Sequence, residues 1–317
     1  MEVICKKTTE ITDEEIKVIY HLFEEVFEQK RDPSTFREEY SNTVLGYSYH
    51  SMLMNEGEIV GFHSCLPFYY IDNGKRFIAG LGIDSMVKKE FRGFFGFRDM
   101  IVACEKRMHD EGCVIRIGFP NDNSYPILIK GFKYKDIGKM ITYFLPVRIG
   151  GVKPSLHFLN PLSRLGAWLI VQFSSFSLNG KEYSFRYSKE RESFDKIRYK
   201  WFNGEYKTIE TGDVIARYKI KVQEGVRTAF LLDVYPMSKK IFDKVVRCIY
   251  NKERRNIDLI MYVGHLPFSP MSLITMPHKF EPKHFNFTCK VLEKGYFDDS
   301  IYDINNWDVN LSNYDLL

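Results

Sequence analysis

The stretch that decides the fold runs from Gly82 to Phe132 and reads GIDSMVKKEFRGFFGFRDMIVACEKRMHDEGCVIRIGFPNDNSYPILIKGF. Its pattern predicts an apolar strand, a charged turn with an Arg-Gly pair, an amphipathic helix, a second strand and an Asn-rich turn. A glycine-bearing turn that leads into a helix presents backbone N–H groups at the positive end of the helix dipole. Such a turn suits a phosphate or pyrophosphate. The stretch therefore predicts that the chain holds a phosphorylated cofactor.

These residues resemble the cofactor-binding core of the GNAT superfamily, the acetyl-CoA-dependent N-acetyltransferases. The family pattern is an apolar strand, the turn Arg/Gln-x-x-Gly-x-Gly/Ala, a helix, a strand, an Asn and Gly-Phe. Large tandem-GNAT proteins associated with polysaccharide and cell-envelope genes also carry a phrase much like GFPNDNSYP, residues 118–126 here. Arg92-Gly93 matches the turn, whereas Phe95 and Phe97 stand where the family has small residues and Gly96 is displaced by one position. A helix start stapled by phenylalanines is the structural alternative.

The resemblance implies that the cofactor is acetyl-CoA or another acyl-CoA. The strands at 77–87 and 113–118 would splay apart and pair with the pantetheine amides, and a backbone N–H near Met86 or Val87 would face the tetrahedral oxygen. The turn would hold the pyrophosphate, and the Asn-rich turn would close the site. The residues expected to bind the cofactor are Met86, Val87, Arg92, Gly93, Phe94, Phe95, Gly96, Phe97, Asn121 and Asn123.

The proton-transfer group is harder to assign. Many relatives place a Tyr four residues before the Gly-Phe, and that position is Ile127 here. Tyr125 is the nearest phenol, and packing under the sheet is its alternative role. Asp84 lies on the central strand, where a half-buried carboxylate can accept a proton; a local hydrogen-bonding role is the alternative. His63 lies on a hairpin strand and is expected either to face the cleft or to be satisfied locally.

The order of elements predicts an α+β fold with a central mixed, mostly antiparallel sheet flanked by helices. Thr12 and Glu15 form a capping box, the residues around 55–58 form a hairpin turn, and Gly112 ends the helix that follows Arg92. The second half repeats hairpin, helix and strand without an Arg-Gly turn. We therefore expect a GNAT domain at 1–150, a linker and apolar helix at 151–180, and a degenerate GNAT-like domain at 181–317 that binds no cofactor.

Composition narrows the function classes. The net charge of +4 over 317 residues does not indicate a nucleic-acid-binding protein. Six scattered cysteines without a Cys-x-x-Cys pair predict no metal site and a reduced, cytoplasmic protein. The apolar run 165–176 is too short to span a bilayer. It predicts a buried helix, with a membrane-facing interfacial helix as the alternative, and no stable membrane insertion. A homodimer is left open.

Three functions fit these observations. The first is an acyl-CoA-dependent N-acyltransferase, with acetyl transfer to an amine of a small or sugar-like acceptor. The second is a non-catalytic GNAT-like binding or scaffold protein, which the phenylalanine-rich turn favours. The third is a tandem-GNAT aminoacyl transferase, for which a broad basic channel would be needed.

Overall fold

The computed structural model describes residues 1–177, 180–199, 206–277, 279, 281 and 283–314, apart from the Phe94 side chain. Its strands are β1 (Glu2–Lys7), β2 (Tyr49–Asn55), β3 (Glu58–Asp72), β4 (Lys75–Val87), β5 (Cys113–Gly118), β6 (Lys135–Pro146), β7 (Tyr187–Lys189), β8 (Tyr206–Thr211), β9 (Val214–Gln223), β10 (Val226–Tyr235), β11 (Leu259–Gly264), β12 (Ile274–Thr275) and β13 (Phe285–Val291). The helices are α1 (Asp13–Phe27), α2 (Phe36–Ser41), α3 (Phe94–Asp110), α4 (Tyr125–Phe132), α5 (Ile149–Val152), α6 (Asn160–Phe173), α7 (Arg191–Arg198) and α8 (Lys239–Glu253).

Two compact units divide the chain. The first contains 1–138, 187–202 and 286–303, and the second contains 139–186, 203–285 and 304–317. Residues from beyond position 180 therefore complete the first unit, because β7 pairs with β3 and β13 pairs with β5. Contiguous domains at 1–150 and 181–317 do not describe this exchange of segments. Strand pairing between residues far apart in sequence leaves no local signal from which it could be read.

The sheet of the first unit has the order β1-β2-β3-β4-β5-β13. Only β4 and β5 run parallel, and the other neighbours are antiparallel. The α+β fold with a mixed, mostly antiparallel sheet is thus confirmed. α3 packs on this sheet so closely that a Cβ on Gly96 would lie 2.8 Å from Leu53 Cδ2, which is why a glycine fits at that helix position.

Local sequence signals are confirmed in the first unit. The Thr12 hydroxyl accepts from the Glu15 N–H, and the Glu15 carboxylate accepts from the Thr12 N–H, so the capping box starts α1 as expected. Gly112, which follows the C-cap residue Glu111 of α3, has φ +90°, a conformation that glycine adopts without strain.

The second unit carries the sheet β6-β11-β10-β9-β8, in which β10 and β11 are parallel. α8 begins at the Ser238 cap, whose hydroxyl accepts from the Ile241 N–H, and buries Phe242, Val246 and Ile249. The sequence at 193–202 also predicts a helix, and α7 is observed at Arg191–Arg198; positions 200–202 lie outside the described residues.

The expectation of a buried helix over 165–176 is wrong. α6 buries Ala167 and Val171, but it exposes Leu165, Leu169 and Phe173. The apolar residues of this helix are too numerous for one core-facing stripe, and a composition signal alone does not separate a helix buried all round from one with an apolar outer face. In the part of the chain that the structure describes, no helix has the length and apolar character needed to cross a membrane.

Candidate functional site

The site is built where β4 and β5 stop pairing. Their parallel ladder ends at Gly82 and Gly118, whereas β4 continues to Val87 alongside β3. The β5-facing edge of residues 83–87 is therefore released from this ladder. Backbone N–H and C=O groups at such an edge can pair with an extended ligand, as an added strand would.

A bulge in β4 changes the directions of its side chains at this point. Ser64 pairs with Ile83 and Phe62 pairs with Met86, so two steps along β3 face three steps along β4. Asp84 takes up the extra residue with a left-handed φ of 46°. Bulges often re-aim side chains beside active sites. Here the bulge directs Asp84 and Ser85 to different partners.

Asp84 is held by two donors. Its carboxylate oxygens lie 3.2 and 3.4 Å from the Arg31 guanidinium, and Tyr40 donates a hydrogen bond of 2.5 Å. Burial, followed by the charge of Asp84, raises the pKa of Tyr40 well above its usual range, so the phenol keeps its proton. The carboxylate is thus engaged in fixing the bulge against α2 and the chain after α1.

His63 is the centre of a buried polar chain. Arg116 Nη2 lies 2.8 Å from His63 Nε2, and Ser85 Oγ lies 2.7 Å from His63 Nδ1. Because a guanidinium only donates, Nε2 accepts, and the proton of the neutral ring sits on Nδ1 and is donated to Ser85. Burial, and next the charge of Arg116, lowers the pKa of His63, which keeps the ring neutral. The Ser85 hydroxyl, exposed on the bulge, is then left with its own proton to donate.

A second carboxylate, that of Glu105, holds the Arg116 end of this row of polar side chains. Glu105 on α3 accepts from Arg116 at 3.4 Å, from Tyr134 at 2.5 Å and from Lys290 of β13 at 2.5 Å. Arg116 and Glu105 are both almost fully buried, at 5% and 7% side-chain exposure. A buried charge pair of this kind fixes geometry because either partner alone would be costly.

The turn after β4 leads into α3 as expected. Gly93 is the N-cap, so no side chain occupies the N–H groups of the first helical turn. Arg92 Nε donates to the Val87 carbonyl at 3.1 Å. Phe95 is 67% exposed, and the Phe97 ring packs 5.7 Å from that of Phe132. The Phe94 side chain lies outside what the structure describes. Phe97 thus turns toward α4.

The Asn-rich turn follows β5. Asn121 Oδ1 accepts from the N–H groups of Asn123 and Ser124, and so shapes the entry to α4; Asn123 itself is exposed. Burial, followed by the neighbouring Asp136 carboxylate, raises the pKa of Tyr125. Met86 and Val87, the last two residues of the released edge, have buried side chains.

A metal was not expected, and one cluster of metal-ligand type occurs among the described residues: His63, Cys65 and Cys104. All three are buried, but Arg116 already donates to His63 Nε2. That nitrogen has no lone pair left for a metal, and the guanidinium adds positive charge. Burial raises the pKa of Cys65, but hydrogen bonding with Cys104 and the charge of Arg116 outweigh it and lower the pKa well below the usual value. The arginine guanidinium therefore already occupies the place that a metal ion would take beside His63.

Sequence reasoning missed Ser85, Arg116 and Glu105. Arg116 did carry a signal, because it is the one charged residue inside the apolar strand Cys113–Gly118. Ser85 carried none, since its position depends on the bulge.

The buried His50 makes a testable contribution to stability. It bonds to the hydroxyls of Ser64 and Thr8 and lies against the rings of Phe36, Tyr40 and Phe62. Burial, with a smaller effect of His63, lowers the pKa of His50 to about 3. The unfolded chain therefore binds the extra proton below about pH 6.5, and stability falls as the pH falls from there toward 3, by about 1.4 kcal/mol per pH unit.

Between pH 7 and pH 5, the free energy of unfolding should fall by about 2 kcal/mol less in His50→Gln than in the wild type. Urea unfolding at both pH values measures this difference. Gln keeps a donor and an acceptor but does not titrate. His21→Gln, at an exposed position on α1, is the control and should keep the wild-type pH dependence. Equal pH dependence in His50→Gln and the wild type would show that His50 is not buried as a neutral ring.

Comparisons with known proteins agree on the fold. No sequence model of a protein family matches the chain, and no curated protein matches it by sequence. Solved structures do. A probable N-acyltransferase from Enterococcus faecalis aligns with a TM-score of 0.59 at 11% identity, over 92% of this chain and 73% of the other. A GCN5-related N-acetyltransferase from Kribbella flavida gives 0.57 at 12% identity, over 92% and 71%. Eis1 from Mycobacterium abscessus gives 0.58 at 11% identity, over 92% and 74%.

Structural alignments at such low sequence identity establish the fold, and they leave the reaction open. The aligned share extends over nearly the whole chain, so the likeness is not confined to the stretch 82–132. The parallel β4–β5 pair that separates after Gly82, and the helix α3 that follows, occur where the resemblance of that stretch placed them. The chain therefore has the fold of the GCN5-related N-acetyltransferases, the GNAT superfamily.

Proposed function

We propose that this protein is an acyl-CoA-dependent N-acyltransferase that transfers acetyl from acetyl-CoA to a primary amine of a small or sugar-like acceptor in the cytoplasm. The observation that carries the proposal is the released edge of β4, residues 83–87, followed directly by the glycine-capped start of α3. An extended amide-bearing arm fits the first and a pyrophosphate fits the second.

The chain's own residues fit such a cofactor. The backbone of Met86 and Val87 would pair with the pantetheine arm, and the first turn of α3 with Arg92 and Gly93 would hold the pyrophosphate. Asn121 would close the site by fixing the turn after β5. When bound, acetyl-CoA supplies an activated acyl group as a thioester.

Ser85 is the group we assign to proton donation. Its hydroxyl is exposed at the bulge and accepts from His63 Nδ1, so its own proton points to another acceptor. A donor at this place stabilises the negative charge that develops when an amine attacks a thioester. His63 and Arg116 act as positioning residues, because each holds the next member of the chain in one orientation.

The three catalytic residues expected from the sequence receive altered roles in this proposal. Asp84 maintains the bulge through Arg31 and Tyr40. His63 orients Ser85 and is not the base, since both of its nitrogens are engaged. Tyr125, whose pKa is raised by burial and by the neighbouring Asp136 carboxylate, keeps its proton and is not the base. The amine would bind as the free base and form the new C–N bond as the thioester C–S bond breaks. The N–H proton that it loses would then neutralise the departing CoA thiolate, so no buried carboxylate is needed as a base.

The direct test is acyl transfer. Purified protein with acetyl-CoA and a panel of amino sugars, polyamines and amino-acid esters should give at least one N-acetylated product by mass spectrometry. The Ser85→Ala variant should give much less product from the same amine. Binding of acetyl-CoA without any product across the panel would favour a non-catalytic CoA-binding role, for which the exposed Phe95 at the start of α3 is the supporting observation.

Gly93→Ala tests the pyrophosphate site with little risk to the fold. Gly93 has an extended φ of −170°, and a Cβ there would meet nothing within 4 Å. We expect unchanged stability but about tenfold weaker binding of CoA, a loss of about 1.4 kcal/mol, because the methyl group would stand where the phosphates approach the backbone.

The control is Gly166→Ala in α6, where a Cβ also meets nothing within 4 Å. Isothermal titration calorimetry with CoA should give the wild-type affinity for this variant. Wild-type affinity in Gly93→Ala as well would remove the α3 start from the cofactor site.

A further inference from the structure

One face of the second unit is strongly apolar and exposed. Along the stretch 158–176, which includes α6, the exposed leucine and phenylalanine side chains are spaced by four, three, four, four and three residues. At 100° per residue the members within α6 form a single stripe, and Phe158 and Phe176 lie in the 3₁₀ turns that flank this helix. The members are between 40% and 69% exposed except for Phe158 at 74%, and they are Phe158, Leu162, Leu165, Leu169, Phe173 and Phe176. We call this set the apolar stripe.

The opposite face of α6 packs against the hydrophobic core of the second unit. Ala167 and Val171 are buried, and Ile170 packs against the same cluster. The stripe is thus additional to the face that holds the helix in place. A contiguous exposed apolar surface of this kind marks an interaction site in a folded protein.

The surroundings of the stripe are basic. From Val147 to Lys181 the sequence has no Asp or Glu, whereas it contains Arg148, Lys153, Arg164 and Lys181. Arg148, His157 and Arg164 line a cavity of about 490 Å³ in the same unit. The one carboxylate there, Asp258, is 2.9 Å from Arg148 Nε. The segment therefore combines an apolar face with positive charge.

We propose that the apolar stripe lies in the surface of an anionic phospholipid bilayer, with α6 parallel to the membrane plane. Leucine and phenylalanine side chains enter the acyl boundary, while arginine and lysine meet lipid phosphates. Trp168, 42% exposed at the border of the stripe, has the amphipathic ring favoured at membrane interfaces. The 14 residues of α6 suit this in-plane position and are too few to span a bilayer.

The charges favour this occupant over a second copy of the chain. A two-fold contact through the stripe would bring two basic, acid-free segments to one interface. Like charges at an interface oppose association. An anionic membrane instead offers acyl chains to the apolar stripe and phosphate groups to the surrounding basic residues.

The test is co-sedimentation of the full chain with vesicles. Vesicles of phosphatidylcholine with phosphatidylglycerol in equal parts should bind the protein at least tenfold more tightly than phosphatidylcholine alone, and added salt should weaken binding. The double variant Leu165→Glu/Phe173→Glu should lose binding. Arg164→Glu should weaken it at least fivefold, because it reverses one charge near the surface. Circular dichroism checks that each variant is folded.

Val18→Glu is the matched control, since Val18 is 44% exposed on α1 in the first unit; it should bind like the wild type. Equal binding to both vesicle types, or wild-type binding by the double variant, would overturn the proposal. Light scattering gives the other decisive outcome. A dimer that the double variant converts to monomer, without vesicle binding by either protein, would assign the stripe to a second copy.

Discussion

Replacing Ser85 by alanine is expected to lower kcat for acyl transfer about 100-fold while the affinity for acetyl-CoA stays within about twofold. The reason is that Ser85 offers its proton only to charge that develops during the reaction, and loss of one such donor typically costs a factor of this size. Steady-state kinetics with the best amine, together with calorimetry on acetyl-CoA, separates the two effects.

Ser64→Ala is the matched control. Ser64 also bonds to a histidine Nδ1, that of His50, at 2.8 Å, but it is buried on β3, on the side of β4 opposite the released edge. We expect this variant to lose about 1–3 kcal/mol of stability by leaving a buried ring nitrogen without a partner, and to keep its kcat. Equal losses of activity in both variants would mean that Ser85 acts through the fold and not in the reaction.

Glu105→Gln is expected to produce a large loss of stability, about 3–5 kcal/mol. Arg116 is only 5% exposed, so its charge would stay buried without the carboxylate. Lys290, at 27% exposure, can turn to solvent and does not share this cost. Urea unfolding measures the loss directly.

The double variant Glu105→Gln/Arg116→Met removes both buried charges and should regain at least half of that loss, because an uncompensated charge costs more than an absent pair. Lys30→Met, in the exposed pair Lys30–Glu24, should cost less than about 1 kcal/mol. A double variant less stable than Glu105→Gln would contradict the assignment of Arg116 as a buried, paired charge.

Sequence reasoning located the core of the fold because its signals there are local. The capping box at Thr12, the glycine after α3 and the apolar strand Cys113–Gly118 each depend on neighbours within a few residues. The resemblance of residues 82–132 placed β4, α3 and β5 in the correct order. The GNAT fold was therefore predictable.

The polar chain of the site was not predictable, because it depends on the register between strands. One extra residue in β4 directs Asp84 to Arg31 and Ser85 to His63. Residues 53 positions apart, His63 and Arg116, meet only once β3, β4 and β5 are aligned. The pairing of β13 with β5, which brings Lys290 to Glu105, likewise has no local signature.

The measurement that tests the central claim most directly is a calorimetric titration of the protein with acetyl-CoA, paired with thermal unfolding. The account predicts one binding site, competition by free CoA and by adenosine 3′,5′-bisphosphate, and a gain of about 2.7 kcal/mol in stability at a hundred times the dissociation constant. It also predicts that Gly93→Ala weakens all three ligands. No heat and no shift in unfolding temperature at millimolar acetyl-CoA, with a folded protein, would contradict the claim that the released edge of β4 and the start of α3 form an acyl-CoA site.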